Sequence, residues 1–263
     1  MVDLKTATGA EVRRLARNGE LTGPTPGLAL GYVQANLVVV PRDLAFDFLL
    51  FCQRNPQPCP LLDVTDPGCP EPRHAAPGAD IRTDVPRYCV YRYGELIEEP
   101  TNLFGYWRDD LVGFLLGCSF TFENALITAG IPVRHIEQAR NVPMYRTNIA
   151  CRPAGVFAGP MVVSMRPLTP AQAESATRIC RRFPLAHGAP VHIGNPAAIG
   201  IADINRPDFG DAVEIRRGEE PVFWACGVTP QAVAMQARPS LLLTHKPGHM
   251  FVTDLRDSEL EKQ

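Results

Sequence analysis

The chain has 263 residues, 45% of them hydrophobic, and a formal net charge of -2. That length buries one large core or two modest ones, and a near-neutral balance with scattered arginines argues against a nucleic-acid partner. No apolar stretch reaches membrane-spanning length, and Met1 to Thr6 do not read as a signal peptide, so the expectation is a cytoplasmic protein with no membrane partner.

Residues 7–18 carry helical spacing, with Val12, Leu15 and Ala16 on one face. Residues 19–36 are dense in Gly and Pro and read as a shaped loop whose end carries Tyr32, Gln34 and Asn36; these either reach a pocket or tie the loop down. Leu37 to Val40 reads as an apolar strand, Asp43 to Cys52 as a helix with Asp43 as cap, and Leu61 to Val64 as a short strand. Residues 65–79 read as a long surface loop, of the kind that is often functional or mobile. A strand is expected beyond Pro86, then a hairpin at Gly94-Glu95; the nearby Arg82, Asp84 and Arg87 form either a salt-bridged edge or a carboxylate clamp.

The chain is organised around residues 114–130. An apolar run ends at Gly117, Cys118-Ser119 follows, and a helical pattern runs to Gly130, with Ser119 or Thr121 as candidate cap. Residues 222–237 repeat that shape: an apolar strand, a Cys226-Gly227 turn, then a helix with Thr229 as N-cap and Pro230 first inside it. Helix starts direct backbone N–H groups at one place and suit a carboxylate or phosphate. Two such junctions are expected side by side at the carboxyl edge of one sheet, where open α/β folds bind ligands.

Between them, residues 132–134 read as extended, 161–167 as a strong strand, 169–182 as a helix capped by Thr169 with Pro170 at its first position, and 189–194 and 211–215 as further strands. The expected fold class is α/β: a mixed-sheet main domain, residues 1–133 and 219–263, with a smaller α+β domain inserted at 134–218. The tail from Arg256 is polar and expected to fray. The eight cysteines show no C-x-x-C spacing, which points to free thiols and away from a structural zinc site. Cys118 and Cys226 stand apart, because a thiol just ahead of a helix can have a lowered pKa.

Gly117-Cys118-Ser119-Phe120, Asn141 to Asn148, and Thr244-His245-Lys246-Pro247-Gly248-His249-Met250, with stretches across nearly the whole chain, resemble the bacterial hydro-lyase family that includes D-glutamate cyclase. The resemblance implies a two-domain α/β protein that reversibly removes water from D-glutamate to give 5-oxo-D-proline. That chemistry asks for a base near the amine, an acid near the leaving oxygen and donors around the developing oxyanion.

Candidates for proton transfer are His192, His245, His249 and Glu123. Cys118 is a candidate nucleophile, though an unactivated carboxylate favours acid–base chemistry over a thioester. Ser119, Thr121 and Thr229 sit at the two helix starts, Arg146 is expected to pair the α-carboxylate and Tyr145 to donate at the other end; Asn148 and Asp208 complete the substrate-binding set. No cofactor is expected. His245 and His249 with a third ligand from His187, His192, Asp203 or Asp208 leave a divalent metal open as an alternative. The expected partner is a small carboxylate, turned over or simply bound, and a homo-oligomer is compatible with the sequence.

Overall fold

The structure is a computed structural model that describes residues 3–261. In chain order its elements are α1 (Gly9–Arg17), β1 (Tyr32–Pro41), α2 (Arg42–Arg54), β2 (Leu61–Val64), β3 (Tyr88–Arg92), β4 (Glu95–Glu98), β5 (Leu111–Gly117), α3 (Phe120–Thr128), α4 (Arg134–Glu137), β6 (Met144–Ala150), β7 (Pro160–Leu168), α5 (Pro170–Arg181), β8 (His192–Ile193), β9 (Glu220–Ala225), α6 (Val228–Gln236), β10 (Leu242–His245) and β11 (Phe251–Arg256). Short 3-10 turns follow α5, β8 and β11.

The strands form two sheets in an α/β architecture, with the strands of the smaller sheet lying as one block of chain between those of the larger. The first sheet runs β2-β5-β1-β10-β3-β4, with β11 also on β1; the second runs β6-β7-β9-β8. Every registered pairing is antiparallel rather than mixed. β9 lies beyond residue 219, yet it pairs with β7 and β8 and so belongs to the second sheet.

β1 is buried along nearly its whole length because the first sheet is covered on both faces. Val38, Val40, Phe114, Leu116 and Leu242 pack against Phe48 and Phe51 of α2 and Val233 and Ala234 of α6. Leu37, Val39, Leu115 and Leu243 pack against Ala75, Ala76, Ala79, Ile81 and Val85. A strand with two buried faces needs apolar residues at consecutive positions, hence Leu37 to Val40. The 65–79 segment is therefore a packed cover, tied down where Asp63 Oδ2 accepts the His74 and Ala75 N–H groups.

The helices after the two Cys turns change sides. α3 leaves the first sheet at β5, but its Phe122 and Leu126 pack with Leu168, Val222 and Trp224 of the second. α6 leaves the second sheet at β9, keeps Val228 and Ala232 against Met144 and Val162 of that sheet, and sets Val233 and Ala234 on the first. Each helix thus bridges the two sheets, and the two turns face one another where they cross.

Several local expectations are corrected. β1 begins at Tyr32, so Gln34 and Asn36 are buried strand residues, and Gln34 ties the preceding loop down through Thr25 and Leu28. Asp43 lies inside α2, whose N-cap position is Pro41. Residues from Arg134 form α4 rather than extended chain. Residues 211–215 form no strand. Arg256 to Leu260 are docked, with Asn124 donating to Asp257 and Leu260 buried. Arg82 pairs with Asp80 and Asp84 with Arg17, so that charged group is a salt-bridged edge. No described helix is long and apolar enough to cross a membrane.

Candidate functional site

Asn36 is the point where the two turns meet. Its Nδ2 donates to the Gly117 carbonyl at 3.0 Å, and a Cβ placed on Gly227 would lie 2.1 Å from that same nitrogen. A Cβ on Gly117 would lie 1.8 Å from the Leu185 carbonyl oxygen. Both turns therefore need glycine for close approach rather than for unusual dihedrals. One turn ends a strand of the first sheet and the other a strand of the second, so they do not share a single sheet's carboxyl edge as expected.

The backbone amides beside each sulfur, Phe120 at Cys118 and Val228 and Gly227 at Cys226, favour the thiolate. Burial pushes the two thiols up, to about 12 and about 11 respectively, overriding the lowering by the helix start. The thiolate expectation is thereby corrected. Ser119 occupies the α3 N-cap position without capping, and Thr121 Oγ1 is buried without a partner. Thr229 is not the N-cap of α6, which is Gly227; its hydroxyl donates to the Val162 carbonyl and accepts the Val162 N–H, pinning α6 to β7. At the Cys226 turn the Thr229 N–H donates to the Cys226 carbonyl and its hydroxyl is taken up by Val162.

Beneath the turns lies a buried charged cluster. The Arg166 guanidinium donates to Glu123 Oε1 through Nε at 3.0 Å and through Nη2. The same side chain reaches Ser119 Oγ and Ser164 Oγ, each at 3.0 Å, and lies against the adjoining rings of Phe122 and Trp224. His135 Nε2 lies 3.4 Å from Glu123 Oε1. Burial works against the Glu123 charge, but His135 and Arg166 beside it hold the carboxyl down at about 2. Both turn cysteines lie within electrostatic reach of this pair. Glu123, expected as a proton-transfer candidate, is the ion-pair partner of Arg166.

His135 also lines a cleft of about 500 Å³ formed by Phe120 of α3, by α4 and the Arg140-Asn141 segment after it, and by the loops Pro24–Gly27 and Pro247–His249. His249 is on its wall, with Nδ1 3.1 Å from the Pro247 carbonyl and its pKa lowered by burial. A second cleft of about 700 Å³ shares Pro247 and holds Arg146, Phe209, Gln231 and Lys246. There the Arg146 guanidinium stacks on Phe209 and its backbone N–H donates to Asp208, while Lys246 pairs with Glu99. Arg146 thus lines the neighbouring cleft, with Asp208 held to its backbone.

The other predicted residues lie apart. His245 is buried at the end of β10, its Nδ1 accepting the Leu37 N–H at 3.0 Å with the Gln231 amide at 2.8 Å; burial lowers it to about 4 and keeps it neutral. Tyr145 donates its hydroxyl to the Ile204 carbonyl at 2.6 Å. Asn148 packs against Gly200, and His192 engages the Asn195 carbonyl on the edge strand β8. Among the described residues no three of His, Cys, Asp and Glu are grouped to hold a metal ion, so the two-histidine site with a third ligand is not assembled.

Sequence reasoning missed Arg166, Ser164 and His135. Ser164 and Arg166 are polar two apart in an otherwise apolar strand, which puts both on one face; that was the available signal.

Comparison with known proteins gives the class first. A protein from Stutzerimonas stutzeri is 66% identical over 251 residues, covering 95% of each chain, and one from Bacillus licheniformis is 66% identical over 249 residues with the same coverage. A third, from Geobacillus kaustophilus, is 64% identical over 250 residues, again 95% of each chain. All three bear the name "putative hydro-lyase", and this kinship supports a lyase acting with gain or loss of water. The model of the D-glutamate cyclase family matches residues 112–254, and the chain belongs to that family. A nitrogen repressor-like protein from Methanococcus jannaschii aligns over 89% of this chain and 91% of its own, at 10% identity and a TM-score of 0.38, a likeness too slight to carry an argument.

Proposed function

We propose that the cleft lined by His135, Arg140 and His249 binds D-glutamate and closes it to 5-oxo-D-proline with loss of water, by acid–base catalysis without a cofactor. One observation carries this reading: the two turns converge on the buried Glu123–Arg166 pair, which abuts a cleft holding two histidines and an arginine. Its volume of about 500 Å³ falls in the range of roughly 300–1,000 Å³ usual for small-molecule sites. The site is built for orientation rather than covalent attack, because the Cys118 thiol stays protonated at neutral pH.

In this reading Arg140 and Asn141 hold the α-carboxylate, since an arginine fork matches that group and Arg140 makes no ion pair among the described residues. In this reading His249 lines the same cleft and offers a hydrogen bond to the side-chain carboxyl. Conversion of D- and L-glutamate by purified protein, with and without a chelator, tests the proposal. D-selective formation of 5-oxoproline that survives chelation is expected. Turnover of neither enantiomer contradicts it, and saturable binding without product would make the protein a carboxylate binder.

A further inference from the structure

His135 has one nitrogen committed and one bare. Nε2 faces the Glu123 carboxylate at 3.4 Å, while Nδ1 is sealed from bulk solvent and has no hydrogen-bond partner. The residue is 5% exposed, yet it is one of those that line the cleft holding His249. Buried polar atoms in folded proteins are nearly always paired, so a bare ring nitrogen at a cleft wall requires a reason.

The surrounding charges fix which nitrogen carries the proton. Arg166 from β7 holds the Glu123 carboxylate ionised, and an anion opposite Nε2 keeps the hydrogen there. The neutral ring therefore presents a lone pair at Nδ1. A carboxylate behind an imidazole also stabilises the imidazolium once the ring takes a second proton.

The other histidines lack this arrangement. His249 spends Nδ1 on the Pro247 carbonyl and makes no ion pair with a carboxylate among the described residues. His245 is held by Leu37 and Gln231. His187 has a bare Nε2, but its ring lines neither cleft.

We propose that His135 is the acid–base residue of this cleft: its Nδ1 takes a proton from the substrate ammonium group and passes it to the oxygen that leaves, with Glu123 and Arg166 as its positioning residues. The proposal rests on the cyclase reading, and its chemistry balances. The ammonium group surrenders two protons, the nitrogen forms its bond to the side-chain carboxyl carbon, and one carbon–oxygen bond breaks. Both protons leave with that oxygen as water, so the net charge of the organic product equals that of the substrate. A residue that accepts from nitrogen and donates to oxygen is needed in each direction of this reversible reaction.

The test uses His135→Gln, which keeps a hydrogen bond to Glu123 but has no base. With melting temperature retained, kcat on D-glutamate should fall about 100-fold or more while KM changes only a few-fold, and added imidazole should restore part of the rate in H135A. H135Q turning over D-glutamate at close to the wild-type rate overturns the proposal. Nitrogen-15 NMR of the wild-type imidazoles gives an independent arm: His135 should show Nε2–H and a bare Nδ1 whose resonance moves on adding 5-oxo-D-proline. If wild-type protein turns over neither enantiomer, the cyclase reading fails, and a proton found on Nδ1 or an unmoved resonance overturns the His135 assignment separately.

Discussion

Arg166 and Glu123 join the two sheets: a guanidinium on a strand of the second reaches the carboxylate on a helix that leaves the first. Their side chains are 1% and 4% exposed, so neither can fall back on solvent. A buried pair is not by itself stabilising, but stripping one partner leaves an unpaired buried charge. Arg166→Met should cost about 3–5 kcal/mol in urea unfolding, and adding E123Q should recover part of it. A loss under about 1 kcal/mol would show that the pair is not buried as described.

The two turns should be coupled through Asn36. Gly227→Ala drives a methyl into Asn36 Nδ2 and should destabilise by about 1–3 kcal/mol. Combining it with Asn36→Ala opens that space, so the double variant should lose less than the sum of the singles. Strict additivity in a double-mutant cycle would place the turns apart. Gly117→Ala should be worse than G227A, because its obstacle is the backbone carbonyl of Leu185.

Stability should fall with acid in two steps. His187 and His245 are lowered to about 4 by burial, so the unfolded chain binds protons more readily than the folded one between pH 6.5 and 4. Their contribution is full above 6.5 and is lost as pH falls through that window, at up to about 1.4 kcal/mol per pH unit for each histidine. Glu123, depressed to about 2, contributes above its unfolded value of 4.5 and loses that contribution as pH falls from 4.5 towards 2. Urea midpoints measured from pH 8 to 3 check this, and His245→Asn should flatten the upper step. Midpoints unchanged between pH 7 and 5 would contradict it.

The Cys118 and Cys226 thiols should resist alkylation at pH 8 in the folded protein and react on unfolding. Cys118→Ala should keep D-glutamate turnover within about tenfold of wild type. Loss of all activity in a folded C118A protein would restore the covalent route.

What the sequence showed depended on how far each signal reached. The run Leu37 to Val40 announces a doubly buried strand, and Thr169-Pro170 announces a helix start that holds, with Gln172 completing a capping box. Thr229-Pro230 carries the same local signature but does not cap, because the Thr229 hydroxyl finds the backbone of Val162, a partner 67 residues away in the chain. Gln34 and Asn36 hid the start of β1: polar residues in a strand read as loop until their partners, Thr25 and the Gly117 carbonyl, are in place. The similarity of the two Cys-Gly junctions was legible, whereas the bridging of the two sheets by their helices was not, since no local pattern says which sheet a helix covers. Arg146 lies in the signature stretch Asn141 to Asn148, but nothing local says which cleft it lines; Arg166 and His135 owe their setting to contacts that only the tertiary fold creates.

The most direct measurement is a crystal structure of the protein with 5-oxo-D-proline or D-glutamate bound. The account places the ligand in the cleft between Arg140, His135 and His249, with its nitrogen or carbonyl beside the His135 ring. A ligand seated instead against Arg146 and Phe209 in the neighbouring cleft would contradict it.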